Sequence, residues 1–146
     1  MSVVVFFACQ SRSIPTDVNE KSTTPTLIDQ TWDVTSFGIV DSRSTDLGSV
    51  GIFIEFHEDS TFSGGSYQKE NGPLAYNSFK GIYSNSSDSI FIKIMYMTEI
   101  NEPEGSRLLE FVGAVNGDIA YEINNDILIL LYNNTKTINL SQRVGQ

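Results

Sequence analysis

The chain predicts a mainly β (α+β) domain: an antiparallel meander that curls into a small, partly open β-barrel, with one short helix, about residues 104–115, covering it. Three observations lead there. Apolar and polar residues alternate in several short runs, the period of a half-buried strand. Clusters of Asn, Asp, Ser and Gly separate those runs at the spacing of a sandwich or barrel. A single segment abandons the two-residue period for a helical one.

The elements follow in order. Thr31 to Phe37 reads as a first strand around Trp32. Ile52, Ile54 and Phe56 alternate on a second, and Glu58-Asp59-Ser60 is a turn into a third that opens at Thr61-Phe62-Ser63. Asn77 to Ser84 is the fourth, closed by the turn Asn85-Ser86-Ser87-Asp88. Ile90, Ile92 and Ile94 share one face of the fifth, with Lys93 on the other. Ile119 to Ile123 and Ile127 to Tyr132 flank Asn124-Asn125-Asp126, a hairpin whose Asn residues suit positive φ. Asn133-Asn134 turns the chain into a last strand, Thr137 to Leu140. The segments 38–50 and 67–75 lack long apolar runs and read as exposed loops, with Gly48, Gly51, Gly64, Gly65 and Gly72 in or beside them.

The helical segment places Leu108, Phe111, Val112 and Val115 on one apolar stripe. Pro103 precedes it, Glu104 falls in its first turn, where a carboxylate suits the helix dipole, and Gly117 can end it. So narrow a stripe requires a sheet or barrel end to cover it.

The chain has 146 residues, the length of one domain. It carries 18 Asp and Glu against 9 Lys and Arg, a formal net charge of −9. Nucleic acid as a partner is excluded by that sign, because phosphate neutralisation by cations supplies most non-specific affinity. The basic residues Arg43, Lys69, Lys80, Lys93, Arg107, Lys136 and Arg143 are also scattered. The domain is expected to be a monomer.

Cys9 is the chain's one cysteine, so no internal disulfide can form. It ends the apolar run Val3 to Ala8, and polar residues begin at Gln10. This junction resembles the end of a bacterial lipoprotein signal peptide, in which the Cys is lipidated. The resemblance implies residues 1–9 as a signal remnant and Cys9 as the lipidation site. It also implies a membrane anchor and a domain outside the cytoplasm, in the cell envelope and at the outer membrane in particular. The alternative is a short buried strand with a core cysteine. Residues 10–26, polar and rich in Ser and Thr, read as a tether. The domain then spans 27–141 and a tail 142–146.

The order of residues carries a second resemblance. Trp32 opens the first strand. Phe56, Asp59 and Thr61-Phe62-Ser63-Gly64 follow, then Asn77, Gly81-Ile82-Tyr83, Thr98, Pro103, the helix with Phe111, and Tyr121-Glu122-Ile123 before Asp126 to Leu130. Over residues 27 to 141 this is similar to the META domain of HslJ-like bacterial envelope lipoproteins. The resemblance implies a compact antiparallel β domain with one helix, linked to envelope stress response, drug tolerance and secretion or motility. It carries no catalytic residues and no cofactor. Asn77 and Gly81 are its motif positions, and Asn77 reads as a residue that caps a turn. The two cysteines common in that family are replaced together, by Tyr76 and Glu102. That departure removes a redox role.

No catalytic constellation is legible. His57, the sole histidine, lies beside Glu58 and Asp59 and reads as a solvated turn residue. A hydrolase would require a surface cleft bringing His57 within hydrogen-bond reach of a Ser or Thr. Gly64-Gly65-Ser66 lacks the Lys of a phosphate loop and suits a bulge or tight turn instead. Glu99, Glu102 and Glu104 read as a solvated helix entry, and no metal site has Cys or His ligands. Asn-x-Ser/Thr sequons stand at Asn85, Asn133 and Asn139. Phe79, Tyr83, Phe91, Tyr96, Phe111, Tyr121 and Tyr132 could line a cavity for a small apolar ligand, as in lipocalins, or fill a small barrel solidly. The expected function is a non-enzymatic, structural or interaction module facing an envelope protein partner, with a lipocalin-like carrier as the alternative.

Overall fold

A computed structural model describes residues 26–39, 47–70, 75–98 and 105–143. Cys9, most of the 10–26 tether, Gly72 and the Glu99, Glu102 and Glu104 cluster lie outside them. Among the described residues the chain forms β1 (Thr31–Ile39), β2 (Val50–Phe56), β3 (Thr61–Gln68), β4 (Ala75–Asn85) and β5 (Ser89–Met97). Then come α1 (Leu108–Val115), β6 (Gly117–Asn124), β7 (Ile127–Tyr132) and β8 (Lys136–Gln142). Each strand pairs antiparallel with the next, and β8 pairs back onto β1, so the barrel is closed rather than partly open. Closure removes both free edges, which an open meander would expose to other chains. The last strand runs past the expected end of the domain: the Arg143 N–H donates to the Thr31 carbonyl at 2.7 Å.

Alternation decides which face is inside. Ile52, Ile54 and Phe56 on β2, Ile90 and Ile92 on β5, Leu128 and Leu130 on β7, and Ile138 and Leu140 on β8 are all fully buried. An eight-stranded barrel has an interior just wide enough for side chains to fill. Aromatic rings do much of the filling here. Tyr83 meets Phe56 edge-on at 4.9 Å between centroids, Phe56 meets Phe62 at 6.3 Å, Phe62 meets Phe79 at 6.2 Å, and Phe79 meets Phe111 of α1 at 5.8 Å.

The rings fit because glycine stands opposite two of them. Phe62 pairs in register with Gly81, and Gly64 with Phe79. A Cβ on Gly64 would strike the Phe79 ring, and one on Gly81 would strike the Lys93 carbonyl and the Phe62 ring. Gly64-Gly65-Ser66 is therefore strand, with a register shift between Gly65 and Tyr67.

The two ends are capped differently. Leu27, buried, crosses the end where β2 finishes. Its carbonyl accepts the Trp32 indole N–H at 3.2 Å, and the Asp29 N–H donates to the Phe56 carbonyl at 2.8 Å. At the opposite end α1 buries Leu108, Phe111 and Val115. Helix starts at Leu108, not at 104, with Arg107 lying 4.0 Å from the Phe37 ring centre and bonded through Nε and Nη2 to Glu110. Leu47 and Val50 are buried, so the part of the expected 38–50 loop that is described contributes to the core. The hairpin turns match their chemistry: Asn125, Asn133 and Asn134 hold φ of 56°, 51° and 58°.

Candidate functional site

A candidate site lies on the outer wall, at the β2–β3 hairpin. Glu55 and His57 are two residues apart and share the outward face. The turn sets Phe56 opposite Phe62, and so Glu55 opposite Ser63. Ser63 in turn faces Lys80 on β4, and Lys80 faces Tyr96 on β5. One row, Glu55, Ser63, Lys80 and Tyr96, thus crosses four strands. His57 leans diagonally onto it: Nε2 is 3.1 Å from Ser63 Oγ and Nδ1 is 3.9 Å from Glu55 Oε1. His57, Ser63 and Lys80 open onto a depression of about 390 Å3 that Thr61, Ile82 and Met95 also line.

The hairpin is held firmly. The His57 N–H donates to the Thr61 carbonyl at 2.9 Å, and the His57 carbonyl accepts the Tyr83 hydroxyl at 2.8 Å. Asp59 accepts from the Thr61 N–H at 2.9 Å and its hydroxyl at 2.5 Å, and these two bonds hold its carboxyl below the usual carboxylate range. His57 stands at the turn, as expected, with 35% of its side chain exposed, and its ring is in addition hydrogen-bonded to Ser63. Ser63 was missed as its partner. The signal was present in the count of residues around the turn, which fixes the residue opposite Glu55.

A second outer depression, about 300 Å3, is lined by Ala120, Tyr121, Glu122, Ile129, Leu131 and Thr137. Farther round the wall Arg143 forks onto Asp33, with Nε at 2.8 Å and Nη2 at 2.5 Å, and lies over the Phe53 and Tyr67 rings. Asp33 also accepts the Tyr67 hydroxyl at 3.0 Å. Burial, then the Asp33 carboxylate, raises the Tyr67 phenol, and the bond to Asp33 raises the Arg143 guanidinium. This cluster ties the residue after β8 to β1 and β3.

The expected site residues divide. Phe79, Tyr83 and Phe111 are buried and packed ring to ring, and Tyr121 and Tyr132 lie half-buried against the core. Phe91 and Tyr96 do not face the interior. They stand on the outer wall, 40% and 51% exposed, because β5 alternates Ile90 and Ile92 inward and a register shift between Lys80 and Gly81 turns Tyr96 out beneath the Lys80 ammonium. Asn77 is buried at the start of β4, where its Oδ1 accepts the Thr98 hydroxyl at 2.9 Å and its N–H meets Ser66 Oγ at 3.3 Å. It links β3, β4 and the end of β5. Replacement Asn77→Ala removes the acceptor of the half-buried Thr98 hydroxyl and leaves the backbone bond to Ser66 in place, an expected loss of about 0.5–1.5 kcal/mol, measurable by urea unfolding. Among the described residues no helix is long and apolar enough to cross a membrane.

No family model matches the chain, and no curated protein matches it. Solved structures do. A protein from Burkholderia xenovorans, solved by NMR, is 13% identical with a TM-score of 0.57, over 90% of this chain and 100% of that one. A DUF4847 family protein from Bacteroides vulgatus is 16% identical with a TM-score of 0.58, over 82% and 96%. An uncharacterized protein from Bacteroides eggerthii is 18% identical with a TM-score of 0.50, over 80% and 99%. At these identities the likeness is one of fold, over 80% to 90% of this chain.

Proposed function

We propose that this chain is an envelope-anchored interaction module, META-like in kind, that meets its partner through the outer wall of the barrel. The observation that carries the reading is where exposed apolar side chains lie. Ile82, Phe91, Met95 and Tyr96 stand on the outside of the neighbouring strands β4 and β5. Exposed apolar groups gathered on one surface mark contact sites, while the rings inside touch one another. Cys9 supplies the lipid anchor and the 10–26 segment the reach. Pairing of Asn77 with Thr98, both members of the residue series that resembles META, supports the family reading. Intact mass of protein extracted from envelopes is expected to show a chain beginning at acylated Cys9, and cross-linking in intact envelopes to recover one reproducible partner. An unacylated chain with no cross-linked partner would sink the reading.

A lipocalin-like carrier is the second reading, favoured by the closed eight-stranded antiparallel barrel. Trp32, the chain's one tryptophan, is buried at the end that Leu27 covers and reports on it. Saturable quenching of its fluorescence by a small apolar probe would favour the carrier. The ring-to-ring packing predicts none.

A further inference from the structure

We propose that Ser63 is a nucleophile with His57 as its base, and that the depression beside them cleaves small esters of apolar acids. This stands on the cleft alone and is independent of the envelope reading. Nucleophile and base must lie within hydrogen-bond reach, with the base oriented by a third group. Ser63 Oγ and His57 Nε2 are 3.1 Å apart, and Glu55 Oε1 lies 3.9 Å from the other ring nitrogen, on the side of the ring away from Ser63. Glu55 is a positioning residue. Both reacting groups sit on strand and hairpin backbone held by the bonds to Thr61 and Tyr83. The wall of the cleft supplies the rest of a substrate site. Lys80, directly opposite Ser63, is the cation toward which a carbonyl oxygen can turn as it gains negative charge, and Ile82 and Met95, 44% and 67% exposed, offer an apolar floor for the acyl chain.

The chemistry balances with water alone. Ser63 Oγ bonds to the carbonyl carbon while its proton passes to His57 Nε2. The carbon–alkoxide bond then breaks, and the same proton leaves with the alcohol. Water attacks the acyl-Ser63 ester, giving its proton to His57, and the carboxylic acid departs as Ser63 regains a proton. Ester and water become acid and alcohol.

The test uses the full chain with p-nitrophenyl butyrate, following p-nitrophenolate release and the intact mass. One butyryl group is expected on the protein, mapping to Ser63, with steady turnover after it. Ser63→Ala should abolish both, and His57→Gln should slow turnover by about 10²–10⁴-fold. Glu55→Gln should lower kcat with KM unchanged, and Ser89→Ala, an exposed serine at the start of β5 that does not line the cleft, should leave turnover unchanged. Labelling of the wild-type chain with a fluorophosphonate, with the label mapped by peptide mass, gives a readout that needs no variant to fold. Turnover in Ser63→Ala equal to wild type, a label on another residue, or neither acylation nor turnover in the wild-type chain would overturn the proposal.

Discussion

Gly81→Ala is expected to cost 3 kcal/mol or more of stability, on the order of the upper range for overpacked cores, and trimming Phe62 will not restore it. The added methyl group would lie against the Lys93 carbonyl, which belongs to the β4–β5 ladder and cannot swing aside as a side chain can. Phe62 is only the second obstacle. The double substitution Gly81→Ala/Phe62→Leu should therefore unfold no later in urea than Gly81→Ala alone. Full rescue by Phe62→Leu would show that the ring, and not the backbone, requires glycine. Gly81 thus has a structural account: it makes room for the Phe62 ring and for close approach of two strands.

Phe111→Ala is expected to lower stability by about 3–5 kcal/mol, the usual range for removing a buried Phe. The ring is fully buried, touches Phe79, and is the part of α1 that closes its end of the barrel. A helix of 8 residues is too short to hold itself in water, so its order depends on that contact. For a domain of this size, such a loss lowers the unfolding temperature by roughly 10 °C or more. Leu109→Ala, two positions away but 68% exposed, should stay within about 0.5 kcal/mol of wild type. Thermal unfolding followed by circular dichroism separates the two. Equal effects would mean that α1 is docked by some other face.

What could be read in the sequence follows from local rules. Alternation in Ile52-Phe53-Ile54 and in Ile90-Phe91-Ile92 assigns strand and inner face at once, because successive side chains point to opposite sides. Asn125 and Asn133-Asn134 announce hairpins because Asn tolerates positive φ. The stripe Leu108, Phe111, Val115 announces the helix by its period, although α1 begins four residues later than its acidic and proline signals imply. Phe91 and Tyr96 show where the rules stop. Composition marks both as apolar ring residues, but the side of the wall each occupies depends on strand phase and on one register shift.

By itself, then, the sequence determined the strands, their turns, the acidic charge and the inward face of most of them, since each depends on neighbours a few residues apart. Only the tertiary structure decided that β8 closes onto β1, that Gly64 and Gly81 seat Phe79 and Phe62, and that Ser63 meets His57 beside Lys80. Those facts depend on register between strands, and register is set by the packing of the whole barrel, in which a shift of one residue would turn every side chain of a strand to the opposite face.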